Sequence, residues 1–255
     1  MTDATVPREA PLPRAVPMLL SFVAGYVDSY TYLALFGLFA AQVTGSFVIA
    51  GAELITHDYG IAGKLIALVA FVAAAAATCA LIALARQRGR PALPWMLALE
   101  AALLATFVAI ILAVPAIDGA RDWRGIVAGL FAASAMGAQS VLVRLLMKGI
   151  PQTNVMTGNM TQLGIAITEL ILARRRFAAS RHDAAALAAY AEVRDQLLTV
   201  LSVAVGFLVG VTAGALAFAA TNVRGALLAV VIVVALALWA LWRERTNQPP
   251  LPGGG

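Results

Sequence analysis

Charge is scarce in this chain. Only 12% of its 255 residues are Asp, Glu, Lys or Arg, against 62% hydrophobic, and the mean hydropathy is +0.88. A soluble domain of this length cannot bury so much apolar surface, so the composition points to an integral membrane protein whose main partner is the lipid bilayer. Cysteine occurs once, as Cys79 in an Ala-rich apolar run; an intrachain disulfide is excluded and a buried small residue is expected there. Histidine occurs twice, as His57 and His182, each without clustered Cys, Asp or Glu, so no metal site is expected. A phosphate-cradling glycine loop ending in Lys-Ser or Lys-Thr is missing, as are a catalytic Ser-His arrangement and an H-E-x-x-H run; no cofactor and no enzymatic activity are expected. The net charge of +5 sits in short basic clusters between apolar runs. Retention of positive loops on the cytoplasmic side explains that pattern, and nucleic acid is excluded as a partner.

Six apolar runs have about the 20 residues that a bilayer-spanning helix needs. They are 17–37, 64–85, 95–114, 124–147, 197–220 and 223–243, and two further segments, 38–55 and 152–173, are apolar but interrupted by glycine and polar residues. Each interrupted segment is either a full crossing or a broken hairpin that returns to the side it entered. With both returning and the N-terminus inside, Arg14, Arg86, Arg88, Arg90, Arg144, Lys148, Arg174, Arg175, Arg176, Arg243 and Arg245 all face the cytoplasm. With eight crossings the Arg86, Arg88 and Arg90 cluster moves outside, against the usual bias. The expected fold is therefore an all-α polytopic membrane protein with six transmembrane helices plus two re-entrant or discontinuous segments and both termini cytoplasmic. Residues 1–16 read as a disordered tail, 17–114 and 115–243 as two membrane repeats, 174–196 as a cytoplasmic loop with some helix, and 244–255 as a C-terminal tail. Glu53 and Glu100, near span ends, read as interfacial.

The two repeats are visible in the residues themselves. The stretch starting at Gly25 aligns with that starting at Gly137, with one added residue in the second copy: Gly37 falls on Gly149, Thr44-Gly45 on Thr157-Gly158, and Gly51 on Gly164. Under the six-span topology the copies are inverted. Paired interrupted segments in inverted halves are the arrangement in which secondary transporters build a site near the bilayer midplane.

Asp28 lies within the first span, where a carboxylate costs roughly 2.5–3.5 kcal/mol and must face protein or water. Such a group can take up a proton on one side and release it on the other, so Asp28 is the candidate coupling residue; helix glue is its bland alternative. Thr31 lies on the Asp28 face at i+3. The Thr-Gly motifs call for irregular backbone whose freed amides must bind something. Amides at the start of the following helix favour an anionic or electronegative group, with Gln42, Thr44, Gly45, Ser46, Asn154, Thr157, Gly158, Asn159 and Thr161 as the expected polar lining. Arg144 reads as a snorkelling interfacial residue or as a counter-charge in the cavity. Gly206 and Gly210 form a GxxxG that would suit a homodimer.

The motifs carrying Gly25, Asp28, Thr44 and Gly45, then Gln139, Arg144, Thr157 and Gly158, resemble those of the YoaK-like bacterial membrane proteins, a family of unknown function. The resemblance runs from about Pro17 to Trp242. Ser46 and Ser140 stand where that family usually has asparagine. The resemblance implies a bacterial inner-membrane location and this architecture, makes Gln139 and Arg144 site candidates, and supplies no substrate. The expected function is a secondary transporter of a small polar or anionic solute, coupled to protons through Asp28. A channel with a fixed filter and a non-transporting scaffold or sensor are the alternatives.

Overall fold

The computed structural model describes residues 12–56, 60–114, 117–180 and 183–247. They form eight α-helices: α1 (Ala15–Ala34), α2 (Val43–Thr56), α3 (Ile61–Gln87), α4 (Leu93–Ala113), α5 (Trp123–Leu146), α6 (Met156–Ala179), α7 (Ala184–Thr221) and α8 (Leu227–Asn247), with a 3-10 turn, Asn222–Ala226, joining the last two. Each long apolar run and each interrupted segment of the sequence corresponds to one helix. Most of the expected tails, His57 and His182 lie outside the described residues.

Four stretches are long and apolar enough to cross a membrane: Ile61–Gln87, Leu93–Ala113, Trp123–Leu146 and Ala184–Thr246, the last holding both α7 and α8; Val43–Ile55 is a shorter apolar helix. α1 falls outside this set because Ser21, Asp28, Ser29, Thr31 and three tyrosines dilute its hydropathy. Val48, Ile55, Val69, Leu208, Leu216 and Leu238 are 61% to 81% exposed on the outside of the bundle. Apolar surface spread over so many helices is what lipid, not water, tolerates. Trp95, Trp123 and Trp242 are exposed near helix ends, where indole rings suit the headgroup layer. The chain is a multi-pass helical membrane protein.

Lipid tails are as apolar as the helices, so association depends on close backbone packing at small residues. α7 lays Gly206, Gly210 and Gly214 against the carbonyls of Met18, Phe22 and Tyr26 on α1, and Gly25 of α1 lies against the Phe207 carbonyl in return. The GxxxG expected to serve a homodimer is thus spent inside the chain, and its face is closed to a second copy. α3 and α5 repeat the arrangement, with Gly137 against the Phe71 carbonyl. Gly25 and Gly137 are the first aligned pair of the repeat, and a Cβ at either would overlap the facing carbonyl.

At one end of the bundle, residues near 12–14, 86–93, 145–151, 195–200 and 240–244 surround a cavity of about 1500 Å³. At the other end, residues near 35–38, 60–64 and 117–126 come together. There Lys64 Nζ lies 3.1 Å from the Phe36 carbonyl and 2.5 Å from the Glu53 carboxylate, so the end of α1, the C-terminal part of α2 and the start of α3 are neighbours. The connections 35–42 and 147–155 turn at Gly37 (φ 83°) and Gly149 (φ 79°), a left-handed conformation open to glycine and costly for other residues.

Three expectations need correction. Glu53 forms a largely buried ion pair with Lys64. Glu100 is fully buried within α4, because this stretch of the helix faces its neighbours and not the membrane edge. Cys79 is exposed on the outer face of α3. The 174–196 connection, expected to hold some helix, carries the end of α6 and the start of α7: Phe177 stacks on Tyr190 at 6.2 Å, and α7, with 38 residues, is about 57 Å long, well beyond the ~30 Å hydrocarbon core.

Candidate functional site

After Gly37 the chain turns back down along α1. The Asp28 carboxylate, 1% exposed, meets it there, accepting from the Ala41 amide at 2.6 Å and the Gln42 amide at 3.1 Å, just before α2 begins at Val43. The first amides of a helix have no partner within it and carry its positive dipole end, so a carboxylate placed there is both hydrogen-bonded and electrostatically favoured. This is how the apolar segment tolerates Asp28. One turn into α2, the Ser46 hydroxyl donates to the Phe39 carbonyl at 2.9 Å and accepts from the Phe39 amide at 3.2 Å, closing the loop on itself. Thr31, fully buried, donates to the Val27 carbonyl of its own helix at 2.9 Å.

The second half repeats this geometry with neutral groups. Gln139 Nε2 donates to the Leu20 carbonyl at 2.9 Å and to Thr153 Oγ1 at 2.8 Å, and the Asn154 side-chain amide donates to Ser140 Oγ. Ser140 is the repeat counterpart of Asp28. Asn159, the counterpart of Ser46, donates to the Gln152 carbonyl at 2.7 Å, again seven residues back. The Ser21 hydroxyl ties this loop to α1 and α7, lying 3.0 Å from the Thr153 carbonyl and 2.7 Å from the Val203 carbonyl. Gln139 Oε1 and Asn154 Oδ1 are buried acceptors with no hydrogen-bond partner among the described residues.

A cavity of about 650 Å³ opens beside Asp28 among α1, the 35–42 loop, α6 and α7. Of the expected site residues only Asp28 and Gln42 line it. Gly158 and Asn159 instead line the 1500 Å³ end cavity, with Arg14, Arg86, Arg90, Lys148 and Arg243. Arg14 there pairs with Asp195 at 3.0 Å and Arg86 donates to the Leu145 carbonyl at 2.9 Å. Thr44, Thr157, Thr161 and Arg144 are exposed, and Gly45 is half-buried beside Phe39. The two Thr-Gly pairs are therefore not gathered into one polar lining; the third residue of each motif, Ser46 or Asn159, turns inward and clips its loop.

Several structurally important polar residues escaped the sequence reading. Tyr26 donates to the Gly225 carbonyl at 2.7 Å and Tyr30 to that of Asn222, fixing the α7–α8 turn against α1. Ser21 and Thr153 gave no signal beyond an ordinary hydroxyl. Glu100, whose two carboxylate oxygens have no hydrogen-bond partner among the described residues, was legible as a lone acid within an apolar run.

Buried polar clips that hold broken segments inside an apolar bundle define the class, a polytopic helical membrane protein. Within that class, a family model described as "Protein of unknown function (DUF1275)" matches residues 16–240, and the chain belongs to this family. No curated protein and no solved structure matches the chain.

Proposed function

We propose that the protein is a secondary transporter, and not an enzyme, in which two inverted four-helix halves, α1–α4 and α5–α8, exchange roles around a site beside Asp28. Six helices cross the membrane in this reading, and α2 and α6 return to the side from which their loops enter. The end carrying Arg14, Arg86, Arg90, Lys148 and Arg243 is cytoplasmic by its positive charge. The resemblance to YoaK-like proteins supports a bacterial inner-membrane location for this reading.

One observation carries the reading: loops 35–42 and 147–155 dip into the bundle from opposite ends, one held at Asp28 and the other beside Ser21 of the same helix. Seven residues of helix separate those levels, or about 10 Å. Two half-segments entering from opposite faces and leaving a thin barrier are the expected geometry of alternating access. Support also comes from the pairing of the halves, since the first helix of each packs by its aligned glycine on the third helix of the other. Neutralising Asp28 with a proton or a bound solute weakens its hold on the Ala41 and Gln42 amides, which couples occupancy to movement of the loop.

The test is the reactivity of Gln42→Cys, in a Cys79→Ser background, toward a membrane-impermeant thiol reagent applied from each side of oriented vesicles. A transporter reacts from both sides, and cross-linking the cytoplasmic cavity shut through cysteines at positions 90 and 148 raises the outside rate while abolishing the inside one. A channel keeps the outside rate unchanged after the cross-link, and a scaffold protein does not react from both sides. Either of these results overturns the proposal.

A further inference from the structure

The cavity beside Asp28 has a one-sided chemistry. Among the described residues its wall contains a single ionisable acid or base other than tyrosine, Asp28; no described Lys, Arg or His lines it. Two backbone amides hold that carboxylate but bring no formal charge, so in its ionised form Asp28 sets one negative charge beside a largely apolar cavity. An unpaired charge at this depth is costly, and a ligand that supplies the counter-charge relieves the cost. An anionic solute would add to it.

The rest of the wall discriminates among cations. Tyr32 and Phe39 stand with ring centroids 5.0 Å apart at an interplanar angle of 32°, and Phe207, Met156 and Met160 complete the apolar surface. A small metal ion takes about six oxygen ligands. Here the other side-chain oxygens on the wall, among the described residues, belong to Ser29, Tyr32 and Gln42. A cation carrying its own apolar surface has no tightly held hydration shell to lose, gains from aromatic faces, and packs against adaptable thioethers. The volume of about 650 Å³ lies within the range of pockets that enclose drug-sized molecules.

We propose that the cavity among α1, the 35–42 loop, α6 and α7 is a binding site for a lipophilic organic cation, with Asp28 as its counter-ion and Tyr32, Phe39, Phe207, Met156 and Met160 as its apolar wall. The inference names a solute class for the transport reading, but binding is measured without flux, so the two fail separately.

The experiment is equilibrium binding of radiolabelled tetraphenylphosphonium to the purified full-length protein, with tetraphenylborate as an anion of the same shape. The wild type binds tetraphenylphosphonium saturably, and radiolabelled tetraphenylborate, assayed separately because the two ions precipitate as a salt, does not bind saturably. Asp28→Asn weakens binding by about tenfold or more through loss of the counter-charge. Met160→Trp fills the chamber without touching the Asp28 hydrogen bonds, and it also weakens binding, by at least about fivefold. Should Asp28→Asn fail to fold, Met160→Trp and the anion comparison decide the matter. Absence of saturable binding to a cooperatively unfolding wild type, equal affinity in Met160→Trp, or saturable binding of tetraphenylborate assayed alone overturns the proposal; the last two would mean a nonspecific apolar patch of the kind lipid or detergent tails occupy.

Discussion

The first half of the molecule buries charge and the second does not. Asp28, Lys64 and Glu100, the buried charged residues among those described, all lie before residue 115, whereas the buried polar residues after it are Gln139, Thr153, Asn154 and Asn159. Backbone geometry is closely matched across the halves, at the Gly37 and Gly149 turns and in the seven-residue clips of Ser46 and Asn159. What differs is the latch. A carboxylate holds the first loop, and its grip changes with protonation or a bound cation; neutral amides and hydroxyls hold the second, and theirs does not. In the transport reading proposed above, matched frames with unlike latches would give one responsive half and one constant half, so that a nearly symmetric fold acts directionally.

The shared frame is tested most severely at the aligned glycines. Gly25→Val and Gly137→Val each push a side chain into a carbonyl of the facing helix, and each is expected to cost about 3 kcal/mol in reversible unfolding in detergent. Unequal costs, with one variant near wild type, would break the equivalence of the halves. The unlike latches come next. Asp28→Leu strands the Ala41 and Gln42 amides and is expected to cost about 2 kcal/mol, against about 1 kcal/mol for Ser140→Ala. Hydrogen exchange at Ala41 and Gln42 should rise in the first variant and stay unchanged in the second.

Glu100 sharpens the contrast by sign. Its carboxylate is buried without a hydrogen-bond partner among the described residues, so Glu100→Leu is expected to leave stability unchanged or raise it by about 1 kcal/mol, as replacing an uncompensated buried polar group generally does. A large loss would mean that Glu100 has a partner in the folded protein. The smallest effect lies at the start of α5, outside the span interior. Asp122 accepts from the Arg124 amide at 2.9 Å and from its guanidinium at 2.6 Å, which hold its carboxyl down at about 2, from an ordinary 3.8. A depressed carboxyl stabilises the fold above its unfolded value and loses that contribution as pH falls through the folded one. The melting temperature of the wild type should therefore exceed that of Asp122→Asn at pH 6, and the gap should close progressively between about pH 4 and pH 2.

Much of the frame was legible in the sequence, because a bilayer sets helix length and a strained turn selects glycine. Runs 64–85 and 95–114 foretold α3 and α4, and the register of Gly25 with Gly137 foretold two equivalent close approaches. The site was legible only in part. Asp28 and Gln42 were marked and do meet, but through the Gln42 backbone amide, which no side-chain pattern can reveal. Thr44 and Thr157 drew notice as hydroxyls beside glycine, yet helix rotation turns them outward and brings Ser46 and Asn159 in. Arg144 is exposed, and the α7 GxxxG serves α1, since a short motif does not reveal which helix it will meet.

The central claim is that the two broken segments enter from opposite faces of the membrane. Side-specific labelling of Phe36→Cys and Lys148→Cys, both in a Cys79→Ser background, tests it most directly. An impermeant maleimide should label Phe36→Cys in intact cells and Lys148→Cys only after permeabilisation. Labelling of both positions from the same side would contradict the inverted arrangement and the transport reading built on it.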